Sequence, residues 1–153
     1  MNPTTESIDT LTITSPAFQN EGDIPAKYTC QGENINPELN IAGIPKEAKT
    51  LALIMEDPDA PSGTFDHWLV WNINPNDRIR ENSLPGIPGR NSFGHVKYGG
   101  PCPPSGSHRY YFRIYALDSV LPLAEGQNKS ELTKQMKGHI IARGALMGRY
   151  QKS

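Results

Sequence analysis

The sequence lacks an excess of charge of either sign. Its 15 lysine and arginine residues nearly balance 16 aspartate and glutamate residues, which gives a formal net charge of −1. No basic block or stripe is present, so we do not expect nucleic acid as a partner. Long hydrophobic runs are also missing, and we therefore expect no stable insertion into a membrane.

The sequence also has little of two other features, an apolar stretch near residue 1 and cysteine. Residues 1–10 are polar and lack the apolar stretch of a signal peptide, which predicts a cytoplasmic protein. The two cysteines, Cys30 and Cys102, fit neither a disulfide framework nor a zinc spacing. In a reducing compartment we expect both to be free thiols. A bridge between them stays open as an alternative if the fold brings them together.

Signatures of catalysis and metal binding are absent as well. The chain contains no Gly-x-Ser-x-Gly nucleophile elbow. Its histidines show no tight metal-binding spacing, so we expect neither a metal ion nor another cofactor. Cys102 and His108 are conceivable as a dyad, but prolines surround Cys102 and nothing marks it as activated. We expect a protein that is not an enzyme.

Glycine and proline, 14 of each, are by contrast plentiful and are scattered between short apolar runs. This pattern is typical of short strands joined by many turns. A short helix is predicted from an N-cap at Ser130 to about Lys137, ending at Gly138. Strands are predicted over residues 10–14, 50–55, 67–73, 109–117 and 139–150, the last broken by Gly144 and Gly148.

These elements favour a mainly all-β chain of one domain over residues 1–153, built as an antiparallel sandwich or a partly closed barrel with one or two short helices. Residues 50–55 form a nearly continuous apolar run, which predicts a strand buried on both faces. In residues 67–73 the odd positions share one face of a regular strand. That alternation places His67 beside apolar residues at the edge of the core.

The segment Asp57-Pro58-Asp59-Ala60-Pro61 directly follows the predicted buried strand. Each proline fixes its own φ and restricts the residue before it, so the two aspartates lie on a stiff turn. They are candidates for a binding site at a strand end. The alternative is a turn whose carboxylates only accept hydrogen bonds from backbone N–H groups.

A second segment, Gly99-Gly100-Pro101-Cys102-Pro103-Pro104, leads to His108 and Tyr110 at the start of a strand. Glycine permits close approach of a ligand, and proline fixes the backbone. His108 and Tyr110 are two residues apart and face the same way, where both can donate hydrogen bonds to an anion. Both can equally be ordinary residues at a sheet edge. Together with Asp57, Asp59 and His67 they have the composition of a ligand pocket.

The motifs resemble the phosphatidylethanolamine-binding protein family, also called Raf kinase inhibitor-like proteins, in its bacterial and archaeal branch. The resemblance covers nearly the whole chain. Its motifs are Asp57 to Pro61, His67-Trp68, and Gly99 to Tyr110 with the core Pro-Pro-x-Gly-x-His-Arg-Tyr, together with Tyr28-Thr29-Cys30, Gly32-Glu33-Asn34 and Gly138-His139-Ile140.

The resemblance implies a large antiparallel sheet packed on a smaller one, with a pocket for phosphate, phosphorylethanolamine, acetate or a similar small anion. It also implies a cis-proline, for which Pro58, Pro61 and Pro101 are candidates. A homodimer and a protein kinase or protease partner are further implied expectations. The residues implied to form the pocket are Asp57, Asp59, Pro61, His67, Gly100, Pro101, His108 and Tyr110.

An anion beside an ionised Asp57 would be repelled. We therefore expect Asp57 to orient a histidine and to raise its pKa, so that the imidazolium form binds the anion. The leading interpretation is a non-catalytic protein that binds a phosphate-like group. The alternatives are an interaction protein or inhibitor whose pocket is regulatory and, as the least favoured, a hydrolytic enzyme that uses the histidine and aspartate groups.

Overall fold

The computed structural model describes residues 8–152. Residues 1–7, which carry most of the segment used to predict the absence of a signal peptide, lie outside that range. An α-helix, α1, covers Lys129–Met136, and a 3-10 helix covers Ala26–Tyr28. The strands are β1 Asp9–Thr10, β2 Thr12–Thr14, β3 Gly22–Asp23, β4 Leu39–Ala42, β5 Thr50–Asp57, β6 Phe65–Ile73, β7 Arg78–Ile79, β8 Ile87–Pro88, β9 Ser107–Leu117 and β10 Ile140–Gln151.

The strands form a large sheet and a small sheet, which confirms the predicted fold class. The large sheet has the order β1-β10-β9-β5-β6-β8, with β3 also paired to β10, and the small sheet has the order β2-β4-β7. The long central strands pair antiparallel, whereas β1 and β3 run parallel to β10. Within residues 8–152, no helix is long and apolar enough to span a membrane.

Both faces of the large sheet are covered, as the apolar run in β5 predicted. Leu51, Leu53 and Met55 of β5 belong to a core cluster that also includes Ile13, Leu39 and Ile41 of the small sheet. Ala52 and Ile54 face the opposite side and pack with Leu132 and Met136 of α1. The strand that ends in Asp57 is therefore anchored on both sides, and the position of that carboxylate is fixed by the core.

The prediction that His67 and Ile73 share a face with Leu69 and Trp71 was wrong. The pairing of β5 with β6 shifts register between Met55 and Glu56 and again between Leu51 and Leu53. Leu69 and Trp71 pack on the α1 side, whereas Ile73 joins the core below the small sheet and the His67 ring contacts Tyr110 of that same core. A β-bulge re-aims one side chain in this way, and here it directs His67 toward the start of β9.

The helix begins earlier than predicted. Asn128, two residues before Ser130, is the N-cap, and its side chain accepts a hydrogen bond from the backbone N–H of Glu131. Gly138, at φ 84°, follows the helix end as expected.

The expected interruption of the last strand was also wrong, because β10 is continuous through Gly144 and Gly148. At Gly144 a Cβ atom would lie 2.1 Å from the backbone oxygen of Leu11. At Gly148 it would lie 2.5 Å from the Ile24 side chain. These glycines allow neighbouring segments to approach the strand closely and do not end it.

Two further expectations need correction. Cys30 and Cys102 form a disulfide across a sequence separation of 72 residues, so they are not free thiols. Sequence spacing could not reveal this pairing, because the two residues meet only through the tertiary fold. Pro58, Pro61 and Pro101 all follow trans peptide bonds, since residues 8–152 contain no cis peptide.

Candidate functional site

A small cavity opens where the ends of β5, β6 and β9 meet. Its volume is about 180 Å³, which is below the range of about 300–1,000 Å³ typical of sites for drug-sized ligands. The cavity therefore suits a small polar group more than a large molecule. Its walls are formed by Asp57, Ala60, Pro61, Phe65, His67, Phe93, Cys102, Pro103, Pro104, His108 and Tyr110.

Asp57 at the end of β5 is 3% exposed, and hydrogen-bond donors of the protein occupy both of its carboxylate oxygens. Oδ1 accepts the backbone N–H of Asp59 at 2.7 Å, as the turn interpretation predicted. Oδ2 lies 2.6 Å from Nδ1 of His108. Asp57 thus rigidifies its own turn and orients the His108 ring.

Asp59, on the same turn, points away from the cavity. Its carboxylate binds Arg109 in a bidentate pair, with Nη2 at 2.8 Å from Oδ1 and Nε at 2.9 Å from Oδ2. The Arg109 guanidinium holds the pKa of Asp59 at about 2, although partial burial opposes that shift. The pair joins the proline-locked turn to the start of β9, and it therefore helps to position Asp57 against His108.

His67 is 3% exposed and reaches the cavity through the bulge in β6. Its Nδ1 lies 2.7 Å from the carbonyl oxygen of Gly99. Burial lowers the pKa of His67 more strongly than that carbonyl and the Asp57 charge raise it. The ring is therefore neutral around neutral pH.

The hydroxyl of Tyr110 is fully buried and has no hydrogen-bond partner among the described residues. Burial raises the pKa of Tyr110, and the nearby Asp57 charge adds to that effect, while the Cys102 backbone opposes it. The phenol therefore remains protonated and can donate. An unsatisfied buried hydroxyl costs free energy unless a partner reaches it, which a ligand in the cavity can do.

The loop of residues 99–104 forms the wall facing the histidines. Gly100 donates its backbone N–H to Asn34 Oδ1 at 2.8 Å, and a Cβ on Gly100 would lie 2.2 Å from the Tyr28 carbonyl oxygen. The Pro101 carbonyl accepts the N–H of Cys30 at 3.1 Å. Gly100 and Pro101 therefore attach the loop to the segment around residues 28–34, whereas Cys102 lines the cavity.

Several cavity residues had not been predicted from the sequence. Phe65 and Phe93 contact each other at 4.7 Å between ring centroids, and both rings contact His67. Phe65 lies two residues before His67, and this spacing was a weak indication that both side chains face the cavity. Phe93 comes from an irregular loop that Asn91 organises through hydrogen bonds to its own neighbours, and no periodic pattern marks such a position.

The arrangement offers both donors and an acceptor to a small ligand. Tyr110 presents a hydroxyl, and His67 presents a neutral imidazole nitrogen. His108 presents Nε2, which becomes a charged donor when the ring is doubly protonated. Aromatic and proline residues enclose these groups, so hydrogen bonds formed there are shielded from water. Within residues 8–152 no cluster of three potential metal-ligating side chains is present.

A protein-family comparison matches residues 14–151 to the model described as phosphatidylethanolamine-binding protein. The chain is 45% identical over 150 residues to a UPF0098 protein of Methanothermobacter thermautotrophicus, covering 93% of this chain and 99% of the relative. It is 49% identical over 158 residues to a UPF0098 protein of Archaeoglobus fulgidus. That match covers 97% of this chain but 53% of the relative, so the chain spans about half of that protein.

Solved structures show the same fold. A crystal structure from Chlamydia trachomatis, described as a homologue of phosphatidylethanolamine-binding proteins, superposes with a TM-score of 0.91 at 44% identity, covering 95% of this chain and 99% of the other. A crystal structure of Escherichia coli YbcL, described as a new member of the mammalian family, gives a TM-score of 0.86 at 25% identity, with coverage of 94% and 99%.

Proposed function

Because the chain belongs to the phosphatidylethanolamine-binding protein family, we propose that it is a non-catalytic protein that binds an anionic, phosphate-like group in the cavity at the ends of β5, β6 and β9. The proposed ligand residues are those that present polar atoms to the cavity: His67, His108 and Tyr110. Asp57, Asp59, Pro61, Gly100 and Pro101 position them.

The observation that carries the proposal is the contact of 2.6 Å between Asp57 and His108. Since both carboxylate oxygens accept protein hydrogens, Asp57 acts on the ligand through His108 and not directly. An anion that enters the cavity favours the imidazolium form of His108, because opposite charges attract strongly where water is excluded. The unpartnered Tyr110 hydroxyl supplies a second donor.

A binding role is favoured over catalysis by the composition of the cavity. Among residues 8–152, no serine, threonine or lysine lines the cavity, and Cys102 is part of the disulfide. Asp57 and His108 could support general-base chemistry, but no activated nucleophile stands beside them. The hydrolytic alternative would be favoured only if turnover of a phosphate or acyl compound were detected and were abolished in His108→Ala.

A second function, regulation of a protein kinase or protease through this pocket, is supported by Phe93. Its ring lines the cavity while 42% of the residue stays exposed, so a partner that covered the rim would contact it directly.

The proposal also includes a homodimer and a cytoplasmic location. In the cytoplasm, the Cys30–Cys102 bridge would have to resist reduction by cellular thiols.

Calorimetric titration with inorganic phosphate and with phosphorylethanolamine tests the proposal. We expect saturable binding to the wild type and loss of at least about tenfold in affinity, ~1.4 kcal/mol, in His108→Ala. His139→Ala is the matched control, because His139 pairs with Asp118 on the surface. Absence of binding to the wild type would refute the anion-binding function, and the regulatory function would then be the favoured proposal.

A further inference from the structure

The two cysteines of the Cys30–Cys102 bridge lie in different surroundings. Cys30 is an exposed residue, two positions after the 3-10 helix. Cys102 is half-buried and lines the cavity at the ends of β5, β6 and β9. A thiol in solution therefore reaches the sulfur of Cys30 more easily than that of Cys102. Access is one of the factors that decide which sulfur of a disulfide is attacked.

The surroundings of Cys102 favour its departure as a thiolate. Cys102 shares the cavity with His67 and His108, and the His108 ring is held by Asp57 at 2.6 Å. A thiolate there favours the imidazolium form of His108, as any anion in the cavity does. The Tyr110 hydroxyl, whose pKa the nearby Cys102 backbone lowers, can donate to the same sulfur. Because the more stable thiolate leaves faster, Cys102 is the better leaving group.

The two sulfurs would stay together after the bridge opens, because the segments that carry them are also joined by hydrogen bonds. These are Cys30 N–H to the Pro101 carbonyl at 3.1 Å, Gly100 N–H to Asn34 Oδ1 at 2.8 Å, and the Tyr98 hydroxyl to the Tyr28 carbonyl at 2.7 Å. Prolines on both sides of Cys102 fix the backbone there. A thiolate on Cys102 therefore remains next to Cys30 and can attack it again.

We propose that Cys30 is a site of reversible S-thiolation by a low-molecular-weight thiol, with Cys102 as the thiol that leaves and returns. The small thiolate attacks Cys30 Sγ and forms a new S–S bond. The Cys30–Cys102 bond breaks, and its electron pair leaves with Cys102. In the reverse step Cys102 attacks Cys30, expels the small thiolate and restores the bridge. The exchange needs no outside oxidant, and it does not depend on which ligand the cavity takes.

The return of Cys102 limits how far a cellular thiol can reduce the bridge. This return is intramolecular, whereas complete reduction needs a second thiol from solution to attack the mixed disulfide and release Cys30. A bridge with one exposed cysteine is therefore compatible with the proposed cytoplasmic location. We expect Cys30 to carry the small thiol for short periods only, in proportion to the thiol concentration.

Trapping of the opened form in the wild type tests the inference. The protein is exposed briefly to glutathione, and excess iodoacetamide then alkylates the thiol that has left. Mass spectrometry of the peptides identifies the modified residues. We expect glutathione on Cys30 and the alkyl group on Cys102, in at least about tenfold excess over the reverse pattern. The reverse pattern would overturn the inference, and so would a bridge that stays intact under glutathione.

A second measurement tests the part assigned to His108. We expect the bridge to open at least about threefold more slowly in His108→Ala, because the leaving thiolate loses its cationic partner. His139→Ala, which removes a surface histidine paired with Asp118, should open as the wild type does. Equal rates in all three proteins would overturn the role of His108.

Thiolate absorbance separates stabilisation of the thiolate from a general loosening of the loop. In folded Cys30→Ser the remaining thiol is Cys102. We expect its thiolate to be visible by ultraviolet absorbance at neutral pH, and to be lost when His108→Ala is added. An absorbance that the second substitution leaves unchanged would overturn the role of His108. Since Cys30→Ser lacks the bridge and can fail to fold, the trapping of the wild type stands as the independent test.

Discussion

Asp57 Oδ2 and His108 Nδ1 lie 2.6 Å apart, although the two residues are 51 positions apart in sequence. Asp57 is the last residue of β5 and His108 is the second residue of β9, and these two strands are direct neighbours in the large sheet. Both side chains are buried, at 3% and 8% exposure. The orientation of the His108 ring is therefore set by the pairing of the two strands.

Asp57→Asn should weaken phosphate binding even though it removes a negative charge next to the site. An amide retains the shape but holds the His108 ring in place less firmly than a carboxylate does, so we expect about a tenfold loss, ~1.4 kcal/mol. Asp77→Asn, which makes the same charge change on an exposed turn, is the control and should bind as the wild type does. Tighter binding in Asp57→Asn would show that simple repulsion dominates.

Protonation of His67 should make stability depend on pH. Because burial lowers the pKa of His67 in the folded protein, the unfolded chain binds more protons below the ordinary value of 6.5. The neutral ring therefore makes its full contribution to the free energy of unfolding above pH 6.5, and this contribution declines as the pH falls below 6.5. Urea unfolding at pH 7.5 and 5.5 checks this, with His67→Gln expected to lose less stability than the wild type. Equal losses would contradict the assignment.

Removal of the Cys30–Cys102 bridge should destabilise the fold and loosen the cavity. A cross-link over 72 residues restricts the unfolded chain by about 4 kcal/mol in the chain-entropy model. Because Cys102 lines the cavity, we also expect weaker phosphate binding after reduction with dithiothreitol. The double variant Cys30→Ser, Cys102→Ser should match the reduced wild type and should not respond to dithiothreitol. Unchanged stability of the double variant would show that the bridge is dispensable.

Gly144→Ala should destabilise the protein by overpacking. The added methyl would lie 2.1 Å from the Leu11 backbone oxygen, so either β10 or the segment next to β1 must move. Forced shifts of this kind cost about 1–3 kcal/mol. Melting temperatures from thermal unfolding check this prediction. Ala145→Val, which adds bulk at an exposed position on the same strand, is the control. Similar melting temperatures for the two variants would argue against a close contact at Gly144.

The sequence was sufficient for the elements whose pattern is local. The density of aromatic residues in β9 and the apolar run of β5 predicted strands in the right places. The turn at Asp57 was identified because proline fixes the backbone regardless of tertiary context. His67, His108 and Tyr110 were placed together by motifs that resemble a known family, and the structure puts all three on one cavity.

Other features depend on contacts between distant segments and left no local pattern. The bulge that turns His67 arises from the register of β6 against β5, which one strand alone does not specify. Asp59 falls among the predicted pocket residues because no local pattern indicates its pairing with Arg109, 50 positions away. The sequence predicts a strand break at Gly144, since the backbone of Leu11 that requires a glycine there is remote in sequence.

The cavity has two walls of unequal construction. Asp57, His108 and Tyr110 stand on paired central strands, whereas the opposite wall is the irregular loop of residues 99–104, attached through the Cys30–Cys102 bridge and a few backbone hydrogen bonds. The strand wall is held by the sheet, whereas the loop wall has fewer backbone hydrogen bonds to break. We therefore expect the disulfide to govern the rate at which a ligand leaves the cavity as well as the affinity with which it binds.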